Sequence, residues 1–140
     1  MAAQPPLNFV VQPAPVNTTS TSAFTLASFD LANMPGISGN FTDCTIFVRI
    51  TVLLFEVSGS QYSTTWERCA TFRRDTSGNA TLKVAVVDGN AGTGGKVGDG
   101  DPSSVSIDAS TTNIRIRVTP SGTGSLWWYG KMQVTAIEPA

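Results

Sequence analysis

Along most of this chain apolar and polar side chains alternate one for one, the period of a strand with one buried face. The signal is clearest over residues 113–137. Ile114, Ile116 and Val118 point one way, and Arg115, Arg117 and Thr119 the other. A Pro/Gly/Ser-rich turn follows over residues 120–125. A second strand then opens with Trp127, Trp128 and Tyr129. Its alternation puts Trp128, Met132 and Val134 toward a core, and Trp127, Tyr129, Lys131 and Gln133 on the opposite face. Two long strands joined by a short turn predict a hairpin.

The preceding chain repeats the pattern. Residues 23–29 form a first strand, and residues 31–40, with Pro35, Gly36 and Gly39, a loop. Over residues 42–57, Ile46, Val48, Ile50 and Val52 alternate with Thr45, Phe47, Arg49 and Thr51. At Leu53, Leu54 and Phe55 both faces turn apolar, which predicts either burial on both sides or a bulge that shifts register. After a turn at residues 58–60, Tyr62, Thr64, Trp66, Arg68, Ala70 and Phe72 share one face of an antiparallel partner strand. A second turn over residues 75–79 leads to a strand over residues 80–87. Residues 88–104 are rich in glycine and read as a long flexible loop, before a short strand at residues 105–108. With about seven or eight strands and no helical period, the expected fold class is all-β: an antiparallel β-sandwich, jelly-roll or Ig-like, over residues 23–140.

Residues 1–22 differ. Pro5, Pro6, Pro13 and Pro15 prevent a helix and hinder strand pairing. Leu7, Phe9, Val10, Val11 and Val16 lie among them, and a purely disordered tail has no use for such residues. The segment reads as an extended, Pro-rich arm. It packs either in a groove on a neighbouring chain, the preferred reading, or across its own domain.

Composition narrows the function. At 140 residues the chain suits one domain with a core that needs no staples. Charged residues are only 14%, replaced largely by Thr, Ser, Gly and Asn, and a surface so poor in charge often has a partner over part of it. The formal net charge is −1 and the basic residues are scattered, so no nucleic-acid partner is expected. No apolar run approaches the roughly 20 residues that span a bilayer, so no membrane partner is expected either. The first residues lack the basic and apolar regions of a secretory signal, which predicts synthesis in the cytoplasm without a signal peptide. Cys44 and Cys69 are expected to be reduced.

Catalysis finds little support. There is no histidine, which removes imidazole-activated nucleophiles and the usual imidazole metal ligands. Gly95-Lys96 lacks the rest of a phosphate loop: Asn90 stands where the first Gly belongs, and Val97 where the hydroxyl belongs. Asp88, Asp99 and Asp101 match no calcium loop and read as a solvated acidic stretch. No catalytic residue, cofactor or metal is therefore expected. The candidates left are interface residues: Leu7, Phe9, Val10, Val11 and Val16 of the arm, with Arg115, Arg117, Trp127 and Tyr129 on the outward faces of the last two strands. The Trp127–Tyr129 pair suits a protein interface, a cover by the arm, or a sugar-stacking platform.

Three segments carry a family likeness. Cys69-Ala-Thr-Phe-Arg-Arg-Asp75, Ile114-Arg-Ile-Arg-Val-Thr-Pro120 and the strand from Leu126-Trp-Trp-Tyr to Val134-Thr-Ala-Ile137 resemble the β-sandwich module of tailed-bacteriophage virion structural proteins, over about residues 44–138. The chain departs from that pattern in Trp127-Trp128-Tyr129-Gly130, where one Trp is commoner, and in its ending Ala136-Ile137-Glu138. The resemblance implies a non-enzymatic virion structural protein on the capsid surface. It would be a cement or decoration protein that stabilises the phage head through inter-subunit contacts. Its partners would be the major capsid protein and copies of itself, as a homo-oligomer, typically a trimer. The alternative is a receptor- or glycan-binding module of a phage fibre or spike.

Overall fold

Period-two alternation gives each segment one apolar face, and two such faces closed on each other bury both. A computed structural model describes residues 7–31, 44–57, 63–74, 79–88, 96–98, 103–122 and 124–137, with the backbone alone at residues 7, 83–88 and 96–98. Ten strands lie among them: β1 (Leu7–Val11), β2 (Val16–Thr18), β3 (Phe24–Asp30), β4 (Thr45–Glu56), β5 (Ser63–Arg74), β6 (Ala80–Asp88), β7 (Lys96–Gly98), β8 (Ser104–Ser110), β9 (Asn113–Thr119) and β10 (Leu126–Ile137). The larger sheet runs β1-β10-β4-β5-β6, with β2 also on β10 and β7 also on β5; the smaller runs β3-β9-β8. The fold is an all-β sandwich of two antiparallel sheets, as the alternation requires.

The inward residues of both sheets form one core. Ile46, Val48, Ile50, Val52 and Leu54 of β4 meet Trp128, Met132 and Val134 of β10 in the larger sheet, facing Ile114, Ile116 and Val118 of β9 in the smaller. Trp128 is fully buried, stacks on Trp66 at 6.0 Å and meets the edge of Phe24 at 6.0 Å. Its indole Nε1 donates to Thr18 Oγ1 at 2.9 Å, so β2 satisfies the polar atom of the central aromatic residue. Across the core, β3 carries a bulge between Thr25 and Ala27, which turns Leu26 inward beside Ala27. Gly130 makes room for it: a Cβ there would lie 2.8 Å from Leu26 Cδ2.

Three expectations need correction. The last two strands are not a hairpin. β9 pairs with β3 and β8 in the smaller sheet, whereas β10 pairs with β1, β2 and β4 in the larger. The Pro/Gly/Ser-rich segment between them crosses from one sheet to the other. The tight hairpin is instead β8–β9, closed by Thr111 and Thr112 with Ser110 opposite Asn113. Thr111 takes a positive φ of 53°, a conformation in which a β-branched residue is unexpected.

The second correction concerns the prolines. Pro13 and Pro15 lie between β1 and β2, not within them, so Leu7–Val11 and Val16–Thr18 keep the donors needed to pair with β10 of the same chain. Both lie at the sheet edge, the place where flanking prolines are tolerated. Phe9, Val11 and Val16 pack against the core, and Phe9 stacks on Phe29 at 5.8 Å. These described arm residues pack across their own domain, the second of the two expected placements. Thirdly, the glycine-rich stretch contains β7, which pairs with β5 from Thr64 to Trp66.

Of the turns expected at residues 58–60 and 75–79 and the loop expected over residues 31–40, all but Leu31 and Asn79 lie outside the described residues. Cys44 and Cys69 are free thiols, the first buried and the second half-buried. Cys69 pairs with Arg49, five positions along β4 from the level of Cys44, a separation of about 17 Å at the rise of a strand and beyond disulfide reach.

Candidate interface on the outer face of the larger sheet

The outward residues of the two sheets differ sharply. On the smaller sheet they are Thr25, Ser28, Ser104, Ser106, Asp108, Arg115 and Arg117. On the larger sheet, β4 and β10 place Phe55 opposite Trp127 and Leu53 opposite Tyr129 in unbroken antiparallel register. Leu53 is 46% exposed, Phe55 49%, Trp127 36% and Tyr129 45%. Val57, 50% exposed, extends the block beyond the end of β4. These five side chains present on the order of 400 Å2 of apolar surface, the size of the largest patch on a typical monomer, which is often functional.

The apolar triplet at 53–55 therefore has neither of its two expected explanations. β4 pairs with β10 and β5 without a register shift, so Leu54 points into the core while Leu53 and Phe55 point out, uncovered by the described chain. All the exposed large hydrophobic residues among the described residues, including Val10, Phe47, Leu82 and Ile137, belong to the larger sheet or its continuation at Val57.

The predicted interface residues do not come together. Trp127 and Tyr129 lie on the outer face of the larger sheet, and Arg115 and Arg117 on the outer face of the smaller, so the sandwich separates them. Arg115 donates through Nε and Nη2 to both carboxylate oxygens of its cross-strand neighbour Asp108, at 2.7 and 2.8 Å. Asp108 thereby holds the Arg115 guanidinium above its usual pKa, chiefly by this hydrogen bonding. Arg117 Nη1 donates to Thr25 Oγ1 at 2.7 Å. Both arginines thus have partners across their own sheet.

Among the arm residues, Val10 is exposed, Phe9, Val11 and Val16 pack inward, and Leu7 pairs with Ala136. β2 runs beside the aromatic block, with Asn17 opposite Trp127. Asn17 Nδ2 donates to Ser125 Oγ at 2.9 Å and to the carbonyl of Leu126 at 3.2 Å. The described part of the arm thus flanks Trp127 at its rim without covering it. Sequence reasoning missed Leu53, Phe55 and Val57 as members of the exposed apolar block. Their signal was present in the loss of alternation at 53–55.

Among the described residues, no three His, Cys, Asp or Glu side chains gather as a metal site. Among the described residues no helix is long and apolar enough to cross a membrane.

No family model matches the chain, and no curated protein matches it either. Among solved structures, the tailspike protein of Acinetobacter baumannii phage AM24 is similar over 96% of this chain and 26% of the tailspike chain, at 9% sequence identity and a TM-score of 0.49. The chain spans about a quarter of that tailspike, and a likeness of this degree carries no functional argument.

Proposed function

We propose that this is a non-enzymatic virion structural protein, a capsid cement or decoration subunit that docks through the outer face of its larger sheet. The observation that supports it best is the one-sided surface: the exposed apolar block Leu53, Phe55, Val57, Trp127 and Tyr129 on one face, and hydroxyl and paired charged groups on the other. Burying that block against the major capsid protein or a sibling subunit, as in a trimer, releases water from aromatic surface and ties shell subunits together. The smaller sheet then faces solvent. The resemblance of residues 44–138 to phage virion modules supplies the setting.

A receptor- or glycan-binding role on a fibre or spike is the second reading. The two exposed rings Trp127 and Tyr129, projecting from alternate positions of one strand, favour it. Copy number separates the two. Quantitative mass spectrometry of purified virions is expected to find the protein in the stoichiometry of a shell lattice, on the order of hundreds of copies if one subunit serves each local contact. A count near that of the tail appendages would overturn the cement reading in favour of the fibre or spike.

A further inference from the structure

The opposite end of the same face carries a different chemistry. Two cross-strand rows run over β1, β10 and β4. One is Val10, Gln133 and Arg49; the next is Asn8, Thr135 and Phe47. Strand geometry spaces the rows by about 7 Å and the strands by about 5 Å. These six side chains, with Phe9 and Val134, line an open depression of about 290 Å3. That is the low end for small-ligand sites and enough for one sugar unit.

The polar groups there are arranged but not used up. Thr135 Oγ1 donates to Asn8 Oδ1 at 2.9 Å, which fixes the Asn8 amide and leaves its Nδ2 to donate outward. The Gln133 amide stands exposed on the outer face, in the row between Val10 and Arg49. Arg49 forms a loose ion pair with Glu67, Nη2 to Oε2 at 3.7 Å, too long for a hydrogen bond; its side chain is 49% exposed and keeps guanidinium N–H groups to donate. Phe47, 44% exposed, offers an apolar ring at the Arg49 end.

We infer that this depression binds an acidic sugar unit, a uronate or sialate residue of a glycan. Its carboxylate pairs with Arg49, its hydroxyls hydrogen-bond to Gln133 and Asn8, and its C–H face lies against Phe47. A lone acidic side chain of a protein would engage only the guanidinium. Three neutral polar groups beside one cation and one aromatic ring suit a ligand with several hydroxyls and one carboxylate. Gln133 is four positions along β10 from Tyr129, about 14 Å, so the depression lies beside the aromatic block on the same face. It stays open to a glycan when docking is confined to that block.

Titrations of the 15N-labelled protein with glucuronate, N-acetylneuraminate, glucose and acetate, followed by NMR, test it. An acidic sugar is expected to shift the amide signals of Asn8, Gln133 and Thr135 with a Kd of about 1 mM, and at least about tenfold more tightly than glucose or acetate. Arg49→Gln should remove that preference and Gln133→Ala weaken binding, while both variants keep the wild-type melting temperature. Acetate binding as tightly as both acidic sugars would overturn the inference, as would no shift with either acidic sugar, or an Arg49→Gln variant that binds them unchanged.

Discussion

Replacing Trp128 with Ala is expected to cost about 3–5 kcal/mol of folding stability, the most of any single substitution considered. The residue is fully buried where the two sheets meet, between the stacked Trp66 and the edge of Phe24. Truncation opens a cavity that no neighbour on the rigid strands can fill. It also leaves Thr18 without the indole donor that it accepts. A domain of this size is stable by only about 5–15 kcal/mol, so the loss is a large share of the whole. Trp128→Phe keeps the ring but not the donor and should fall well short of the Ala loss. Urea unfolding followed by fluorescence measures both. A shift under about 1 kcal/mol for Trp128→Ala would contradict the core assigned here.

Deleting residues 1–18 is expected to have a comparable effect, although the deleted segment looks like a tail in sequence. The deletion uncovers the edge of β10 along both its upper and lower pairings, to β1 and β2. It removes the half-buried Phe9, Val11 and Val16 from the core, worth about 1–2 kcal/mol each, and the Thr18 acceptor of Trp128. The truncated protein should melt lower and aggregate through its bared strand edge. A truncated chain with wild-type stability would mean that the segment does not brace its own domain. The result also bears on any attachment assay, since loss of binding by this deletion would report a damaged fold and not a missing tether.

The strands were largely legible because alternation is local. Ile46 to Val52, Trp66 to Phe72, Ile114 to Val118 and Trp128 to Val134 all face inward as their spacing requires. What each strand pairs with was not legible. Alternation says which side of a strand is buried and nothing about its lateral neighbour, so the Pro/Gly/Ser-rich segment before β10 looked like a hairpin turn when it is a crossing between sheets. The true β8–β9 turn carries Thr111-Thr112 in place of Gly or Asn, and so gave no turn signal. The prolines misled in a similar way. Their effect is confined to their own positions and immediate neighbours, and β1 fits in the interval that they leave.

The candidate site was half legible. Trp127 and Tyr129 were identified by parity alone. Phe55 and Leu53 were not, because an outward apolar residue and a doubly buried strand look the same in sequence. Only the register of β4 on β10 shows that the four side chains form one patch. The pairing of β9 with β3 and β8 puts Arg115 and Arg117 on the other side of the molecule, where Asp108 and Thr25 hold them.

The central claim is that the aromatic block of the larger sheet faces the shell and the smaller sheet faces solvent. Co-sedimentation with capsids that lack the protein tests it most directly, comparing Phe55→Ser/Trp127→Ser with Thr25→Glu/Ser106→Glu. All four positions are surface positions, so both double variants should stay folded. The first pair should lose attachment by about 100-fold or more, as expected for two aromatic anchors, while the second pair binds like the wild type. Wild-type attachment by Phe55→Ser/Trp127→Ser, with binding lost on Thr25→Glu/Ser106→Glu, would contradict the assignment and turn the molecule over.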